Sequence, residues 1–175
     1  SLISLALINL ALVLQKQGKI LEAQETYQKM LEKNADEKTE KKSSSLSAEA
    51  HFGLGYCFFV QNNLEKAAQH FALAITHSPQ FVEAYVNLAA VRERQEKLRE
   101  AFALLQKSLT LAPQHARANY NKGVVLEKVG TFEALKGAKE SYRKAAELGY
   151  AKKEDTLKRI EQIERFLEKE KTREK

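Results

Sequence analysis

The chain has 175 residues, of which 43% are hydrophobic and 30% are charged, and its formal net charge is +6. Two prolines and seven glycines suit an all-helical protein, and no segment shows the two-residue hydrophobic alternation that a strand-rich fold requires. A single cysteine, Cys57, excludes a disulfide framework and a multi-cysteine zinc site within the chain. We expect an intracellular location, in the cytoplasm or, as the alternative, in the nucleus or another organelle, and a lone thiol is compatible with it.

The first segment, SLISLALINLALVLQ, is rich in apolar residues and contains Asn9. It is shorter than the roughly 20 residues that span a membrane, and neither a basic region nor a small-residue cleavage site flanks it. We therefore expect no membrane insertion and no signal peptide, and the segment predicts the first helix of a repeat. A repeat buries its apolar face only against neighbouring repeats. Because this first helix is so rich in apolar residues, we expect a further repeat before it.

Small and large side chains recur at a fixed spacing along the chain. Gly55, Ala89 and Gly123 follow one another at intervals of 34 residues. The match to Gly55 on its N-terminal side is Ala11, 44 residues earlier, which indicates ten extra residues after the first unit. A period of 34 predicts a helical repeat protein. Three further pairs of similar residues are also 34 residues apart: Ala67 and Ala101, Phe71 and Leu105, and Pro79 and Pro113.

Two places depart from this period. The ten extra residues lie within DEKTEKKSSSLS, which has almost no apolar side chains, so we expect residues 38–47 to form a flexible polar insertion. The step from Ala101 to Ala138 is 37 residues. It predicts three extra residues near TFEALKG, in the turn inside the fourth unit.

The last segment, residues 151–175, has one apolar stripe on an otherwise charged helix, which predicts a capping helix over the last repeat. Its nine basic and seven acidic residues alternate, which favours a solvated face over a nucleic-acid-binding arm. Most of the positive excess lies after residue 115, but no RNA-binding signature with interleaved aromatic residues accompanies it, and we expect no nucleic-acid partner. The predicted stripe consists of Leu157, Ile160, Ile163 (or Phe166) and Leu167.

The small and large positions resemble the tetratricopeptide repeat (TPR), a helix-turn-helix unit of 34 residues. In the second unit, which fits best, Leu54, Gly55 and Phe58 match the first helix. The resemblance implies an all-α fold, a right-handed α-solenoid of antiparallel helix hairpins. The expected organisation is repeat 1 (4–37), the polar insertion (38–47), repeat 2 (48–81), repeat 3 (82–115), repeat 4 (116–150) and the capping helix (151–175).

No arrangement of residues predicts catalysis. The four histidines are scattered by the repeat spacing, and neither a metalloprotease His pair nor a serine elbow occurs. The Gly-x-Gly of FGLGYCFF lacks the preceding strand of a phosphate-binding loop, so Gly55 is interpreted as the point where two helices cross closely. Cys57 fits a small buried hydrophobe better than a nucleophile. We predict a protein that is not an enzyme and has no cofactor or metal site.

In the TPR family, the first helices of successive repeats line a concave groove that receives a peptide or a helix of another protein. At one equivalent groove position the chain has Asn9, Asn87 and Asn121, with Gly53 as the gap. This pattern is similar to the asparagine ladder of O-linked N-acetylglucosamine transferase, whose amides hold the backbone of an extended peptide; the alternative is that these amides bond between adjacent helices. The partner-binding candidates are Asn9, Phe52, Tyr56, Phe59, Asn87, Arg94, Arg117, Tyr120, Asn121 and Val124.

An aromatic face forms the second feature of the expected groove. Phe52, Tyr56 and Phe59 recur at i, i+4 and i+7, so they share one side of a helix. Gly53 would open a notch between them for an apolar or aromatic anchor of a partner. The alternative is that these rings belong to the core between repeats, or that the polar insertion folds over them.

The carboxylate clamp of cochaperone TPR proteins is absent, because Phe52 and Tyr56 stand where that clamp needs lysine and asparagine. Chaperone C-terminal tails are therefore not the expected ligand. We predict a non-catalytic adaptor or scaffold that binds a peptide or helical segment of another protein in its groove. The alternatives are a substrate-targeting module of a larger enzyme such as a glycosyltransferase, and a structural subunit of a multiprotein assembly. The sequence does not predict an oligomeric state.

Overall fold

The computed structural model describes residues 2–36 and 40–173, with side chains throughout except those of residues 34–36 and 40–44. Within these ranges the backbone forms helices joined by short turns, and no strand occurs there. The helices are α1 (Leu2–Lys16), α2 (Ile20–Asp36), α3 (Glu40–Val60), α4 (Leu64–His77), α5 (Val82–Arg94), α6 (Leu98–Leu111), α7 (Ala116–Val129), α8 (Phe132–Glu147) and α9 (Lys153–Arg173).

The chain divides into two compact units, Ser1–Val91 and Arg92–Lys175. In the first unit, α1 packs on α2, α3 packs on α4, and α2 and α3 join the two hairpins. In the second unit, α7 packs on α8, with α6 against α7 and α9 against α8. The helix α5 begins in the first unit and ends in the second.

Each unit has its own apolar core. Burial of these side chains is the main favourable contribution to folding, at about 25 cal/mol per Å² of apolar surface removed from water. The first core comprises Ile8, Ala11, Ala23, Tyr27, Met30, Ala50, Leu54 and Cys57. The second comprises Tyr120, Leu135, Ala138, Tyr142, Ala145, Ile160, Ile163 and Leu167.

Glycines allow the two helices of a hairpin to approach closely. A Cβ atom on Gly55 of α3 would lie 2.7 Å from two ring atoms of Phe71 on α4. A Cβ on Gly123 of α7 would lie 2.6 Å from two ring atoms of Tyr142 on α8. Such distances are far inside van der Waals contact, so each ring occupies the space that a side chain would need. In these two hairpins the glycine is therefore required by the aromatic residue opposite it.

Two helix starts differ from the sequence-based expectation. The helix α3 begins at Glu40, so residues 40–47 of the expected insertion 38–47 are helical; residues 37–39 lie outside the described part. Ser47 is buried and Leu46 packs on the first core, which gives the end of this segment packing partners. The expected insertion in the turn before α8 lengthens the helix instead. Thr131 caps α8 by accepting a hydrogen bond from the backbone N–H of Ala134, so the extra residues are helical.

The predicted apolar stripe of α9 is confirmed at three positions, wrong at Leu157, and includes Ile163 and not its alternative Phe166. Ile160, Ile163 and Leu167 are buried against the second core, as expected. Leu157 and Phe166 are 45% and 47% exposed, and Thr156 occupies the buried place at the start of the stripe. Thr156 satisfies its hydroxyl by donating a hydrogen bond to the backbone carbonyl of Lys152, at 2.7 Å. The sequence-based prediction chose Leu157 because it considered only apolar residues, whereas the residue buried at this point of the helix is the polar Thr156.

Candidate functional site

The aromatic face of α3 lies in the first unit and is only partly accessible. The Phe52 ring packs against Phe71 and Phe81, with ring centroids 5.6 and 4.8 Å apart. Phe59 is also half-buried, whereas Tyr56 is 37% exposed. Of the three predicted anchors, Tyr56 therefore presents the most surface, and Phe52 supports the core beneath it.

The expected notch at Gly53 is filled. The Tyr27 ring, from the second helix of the preceding hairpin, lies directly over Gly53, where an added Cβ would overlap ring carbons. The Tyr27 hydroxyl donates a hydrogen bond to Gln15 at 3.1 Å. Burial is the main reason that the pKa of this phenol is raised, with smaller contributions from Cys57 and Glu49. The notch is therefore part of the packing between hairpins, and the prediction that a partner's anchor enters it is wrong.

The three ladder asparagines differ in accessibility but share one property. Asn9 on α1 is exposed, and Asn87 on α5 and Asn121 on α7 are half-buried. None of the three amides makes a hydrogen bond with another described residue. By contrast, the buried amide of Asn119 donates hydrogen bonds to the carbonyls of His115 and Pro113, at 3.1 and 3.5 Å. The ladder amides are thus not used to join adjacent helices.

In the second unit, Tyr120 is a core residue. It is 8% exposed, and its ring stacks on Tyr150 at 4.4 Å and lies 5.4 Å from the Tyr142 ring. Val124 is partly buried against the same core. The prediction that Tyr120 offers its ring to a partner is therefore not supported, because Tyr142 and Tyr150 cover that ring.

The two basic residues predicted to bind a partner, Arg94 and Arg117, differ in their exposure to solvent. Arg94 at the end of α5 is exposed, and Arg117 in the first turn of α7 is half-buried. Both already interact with other residues of the chain. Arg117 also lies close enough to Tyr150 to oppose part of the rise in that residue's pKa, which burial causes. Neither arginine is an uncommitted charge.

A carboxylate connects three helices of the second unit. Glu127 on α7 accepts a hydrogen bond from the Tyr142 hydroxyl at 2.6 Å and forms an ion pair with Arg159 on α9, also at 2.6 Å. Burial first, and then the bond to Glu127, raise the pKa of Tyr142. The tyrosine therefore remains a neutral hydrogen-bond donor, and this group attaches the C-terminal helix to the last hairpin.

Residues 8–80 and 82–115 match two sequence profiles, each described as the tetratricopeptide repeat. The chain belongs to the tetratricopeptide repeat family. It is 29% identical over 121 residues to Tetratricopeptide repeat protein 8 of Mus musculus; these residues are 69% of this chain and 23% of that protein. The chain thus spans less than a quarter of the length of this curated relative.

Solved structures agree with this TPR assignment. The pilF protein of Pseudomonas aeruginosa superposes with a TM-score of 0.77 at 22% identity, over 97% of this chain and 70% of that one. The first TPR domain of Spaghetti (RPAP3), bound to the HSP90 peptide SRMEEVD, superposes with a TM-score of 0.65 at 20% identity, over 70% of this chain and 94% of that one. At these identities the likeness concerns the fold, and it confirms the predicted all-α fold of TPR helix hairpins.

The TPR units also contain an apolar recess that sequence reasoning missed. It lies between α6 and α7 in the second unit and has a volume of about 250 Å³. Lys122 lies beside it, with its ammonium group 5.7 Å from the centre of the Phe102 ring. Its residues come from two segments that are well separated in sequence, one on each helix, so no local motif could have identified it. The recess is lined by Leu98, Arg99, Phe102, Val125, Leu126 and Val129.

No helix among the described residues combines the length and the apolar character needed to cross a bilayer.

Proposed function

We propose that this protein-interaction module binds a peptide or helical segment of another protein along the first helices of its TPR hairpins. The observation that carries the proposal is the unused hydrogen-bonding capacity of Asn87 in the first unit and, taken separately, of Asn121 in the second. Each amide has one acceptor oxygen and two donor hydrogens that meet no other described residue. An amide in this state can pair with the N–H and C=O groups of any extended main chain.

The surroundings of these amides support the same function. In the first unit, Tyr56 adds a partly exposed ring on α3, and tyrosine contributes large contact area at low entropic cost. In the second unit, the side of α7 that carries Asn121 also carries the half-exposed Arg117 and Val124. The Spaghetti domain of similar fold is bound to a peptide, which supports a peptide as the ligand class. Because Phe52 and Tyr56 replace the clamp residues, we expect a different peptide here.

A selection experiment tests the proposal. A displayed library of random 12-residue peptides is selected against the full chain, and the affinity of the enriched peptides is measured for the Asn87→Ala, Asn121→Ala double variant. A peptide held by either amide should bind the double variant roughly fivefold more weakly, because one such amide contributes about 1 kcal/mol. The control is Gln69→Ala, which removes an exposed amide from the second helix α4. Unchanged affinity in a folded double variant would reject the ladder, and failure to enrich any peptide would reject the ligand class.

A second candidate function, a structural subunit of an assembly, is favoured by the surface of α1. Ala50, Leu54 and Cys57 of α3 are buried against the preceding hairpin. Their equivalents 44 residues earlier are exposed, although they are equally apolar: Ala6, Leu10 (50% exposed) and Val13 (49% exposed). We propose that this face of α1 packs against a helix of a neighbouring subunit, in the way that α3 packs against α2.

Photo-crosslinking distinguishes this candidate from the first. A photoreactive benzoylphenylalanine at Val13, introduced into the natural full-length protein in its own cells, should form a crosslink to a helical segment of another polypeptide. The same probe at the exposed Gln69 of α4 is the control. A crosslink within the same polypeptide, or equal labelling at both positions, would reject the assembly interpretation while leaving the peptide-binding proposal intact.

A further inference from the structure

Three histidines gather on one side of the hairpin formed by α3 and α4. His51 lies on α3, and His70 and His77 lie on α4. The His51 ring centroid is 5.3 Å from that of His70 and 5.4 Å from that of His77, on which it stacks. The Phe58 ring also stacks on His70, with ring centroids 5.3 Å apart. The residues that define the TPR fold do not require a histidine at any of these places.

Two nitrogen atoms of this cluster are close together. The Nδ1 atoms of His51 and His70 are 3.0 Å apart, and both rings are half-buried. Burial, followed by repulsion from His70 and His77, lowers the pKa of His51 to about 4. Burial and the nearby Lys66 lower the pKa of His70. Burial therefore disfavours the charged form of both imidazoles.

The separation of the two nitrogens suits one class of metal ion. Imidazole nitrogens lie about 2.0–2.1 Å from a bound transition metal, so two of them at a right angle are about 2.9 Å apart. A tetrahedral angle would place them about 3.4 Å apart instead. The 3.0 Å of the metal-free pair is the length of its N–H···N hydrogen bond, and it is close to the right-angle separation that Cu²⁺ and Ni²⁺ prefer with nitrogen and oxygen donors. The two rings therefore need to turn their lone pairs towards a shared ion, with little change in the distance between the nitrogens.

We propose that His51 and His70 form a two-nitrogen site for a Cu²⁺ or Ni²⁺ ion, with water completing the coordination. Within the described residues no group of three or more His, Cys, Asp or Glu side chains is placed to hold a metal, so the chain supplies two donors. In the metal-free pair one Nδ1 donates its hydrogen to the other. On metal binding that proton moves to the Nε2 atom of the same ring, so no net proton release is required.

The surroundings both support and limit this site. The stacked rings of Phe58 and His77 restrict the orientation of His70 and His51, which reduces the entropic cost of binding an ion. The ammonium group of Lys66 lies 5.2 Å from the centre of the Phe58 ring and repels a cation. An ion bound here would bridge α3 and α4, and it would therefore stabilise the folded hairpin in proportion to its occupancy.

The test uses the untagged full chain, titrated with NiCl₂ by calorimetry and with CuCl₂ by electron paramagnetic resonance. We expect one ion per chain and two nitrogen donors in the copper spectrum. His51→Gln and His70→Gln should each weaken nickel binding at least about tenfold, since either change destroys the chelate. The matched control is His115→Asn, which removes a histidine yet keeps a good N-cap residue for α7. This variant should bind nickel as the unchanged chain does.

Three results would overturn the proposal. One is the absence of nickel binding at about a hundredfold excess of metal over protein, and another is an unchanged affinity in either glutamine variant. The third is a copper spectrum of the unchanged chain with fewer than two nitrogen donors. The copper spectrum needs no substitution, so it decides the matter even where a variant fails to fold. As an independent measure, NiCl₂ should raise the unfolding temperature of the unchanged chain, and it should not change the unfolding temperature of the His70→Gln variant.

Discussion

Replacing Gly55 by alanine tests why this hairpin has a glycine where two other repeats have alanine. Two effects of opposite sign act at this position. Alanine is favoured over glycine by about 0.8–1.0 kcal/mol inside a helix, and Gly55 lies in the interior of α3. Against this, the new Cβ would lie 2.7 Å from two ring atoms of Phe71, a side chain that is 1% exposed. Neither the ring nor the α3 backbone can move without disturbing the core.

Overpacking of this kind costs about 1–3 kcal/mol, and it exceeds the gain in helix propensity. We therefore expect Gly55→Ala to lower the free energy of unfolding by on the order of 1 kcal/mol. Gly137 in the interior of α8 is the matched control, because its added Cβ would lie 3.2 Å from only one atom, the flexible Leu126 Cδ1. There helix propensity should prevail, and Gly137→Ala should raise the free energy of unfolding by up to about 0.8 kcal/mol.

Urea denaturation followed by circular dichroism measures both changes, as shifts of the midpoint at a constant slope. A double-mutant cycle with Phe71→Leu identifies the contact responsible, since the loss caused by Gly55→Ala should shrink when the ring is absent. If Gly55→Ala stabilises the chain as much as Gly137→Ala does, the close approach of Phe71 does not explain the glycine. A loss that persists unchanged in the Phe71→Leu background would lead to the same conclusion.

The other predictions concern the second core, α9 and the lone thiol. Tyr142→Phe should lower the free energy of unfolding by about 1 kcal/mol, because it removes the 2.6 Å hydrogen bond to Glu127; a urea midpoint unchanged from the original chain would contradict this. Ile163→Ala should cost about 2–4 kcal/mol and Phe166→Ala less than about 0.5 kcal/mol, and equal losses in thermal unfolding would refute the assignment of the buried stripe. Cys57 is fully buried, and burial raises its pKa to about 11. Iodoacetamide at pH 8 should therefore label Cys57 only in denaturant, and rapid labelling of the native chain would contradict its burial.

The 34-residue spacing predicts the fold because it records contacts inside a hairpin. Gly55 and Phe71 belong to one hairpin, as do Gly123 and Tyr142, and both pairs keep their places in the repeat. Contacts that reach outside the hairpin do not follow this spacing. The ring over Gly53 comes from the preceding hairpin, and the ring over Tyr120 comes from Tyr150, after the end of α8. For the candidate site, the sequence predicts which helix and which face each residue belongs to. How accessible each side chain is depends on the packing of neighbouring hairpins, which the repeat spacing does not record.

The contact between Tyr27 and Gly53 also limits what can cover α1. Asn9 occupies the place on α1 that Gly53 occupies on α3, and Asn9 has the Cβ that Gly53 lacks. A helix that packed on α1 as α2 packs on α3 would bring its own residue to this point. A tyrosine there, in the pose of Tyr27, would overlap the Asn9 side chain. A second copy of this chain therefore cannot use its own α2 to cover α1 in that manner. Any helix that covered α1 in this way would need a smaller side chain at the position of Tyr27, or one that accepts a hydrogen bond from the Asn9 amide.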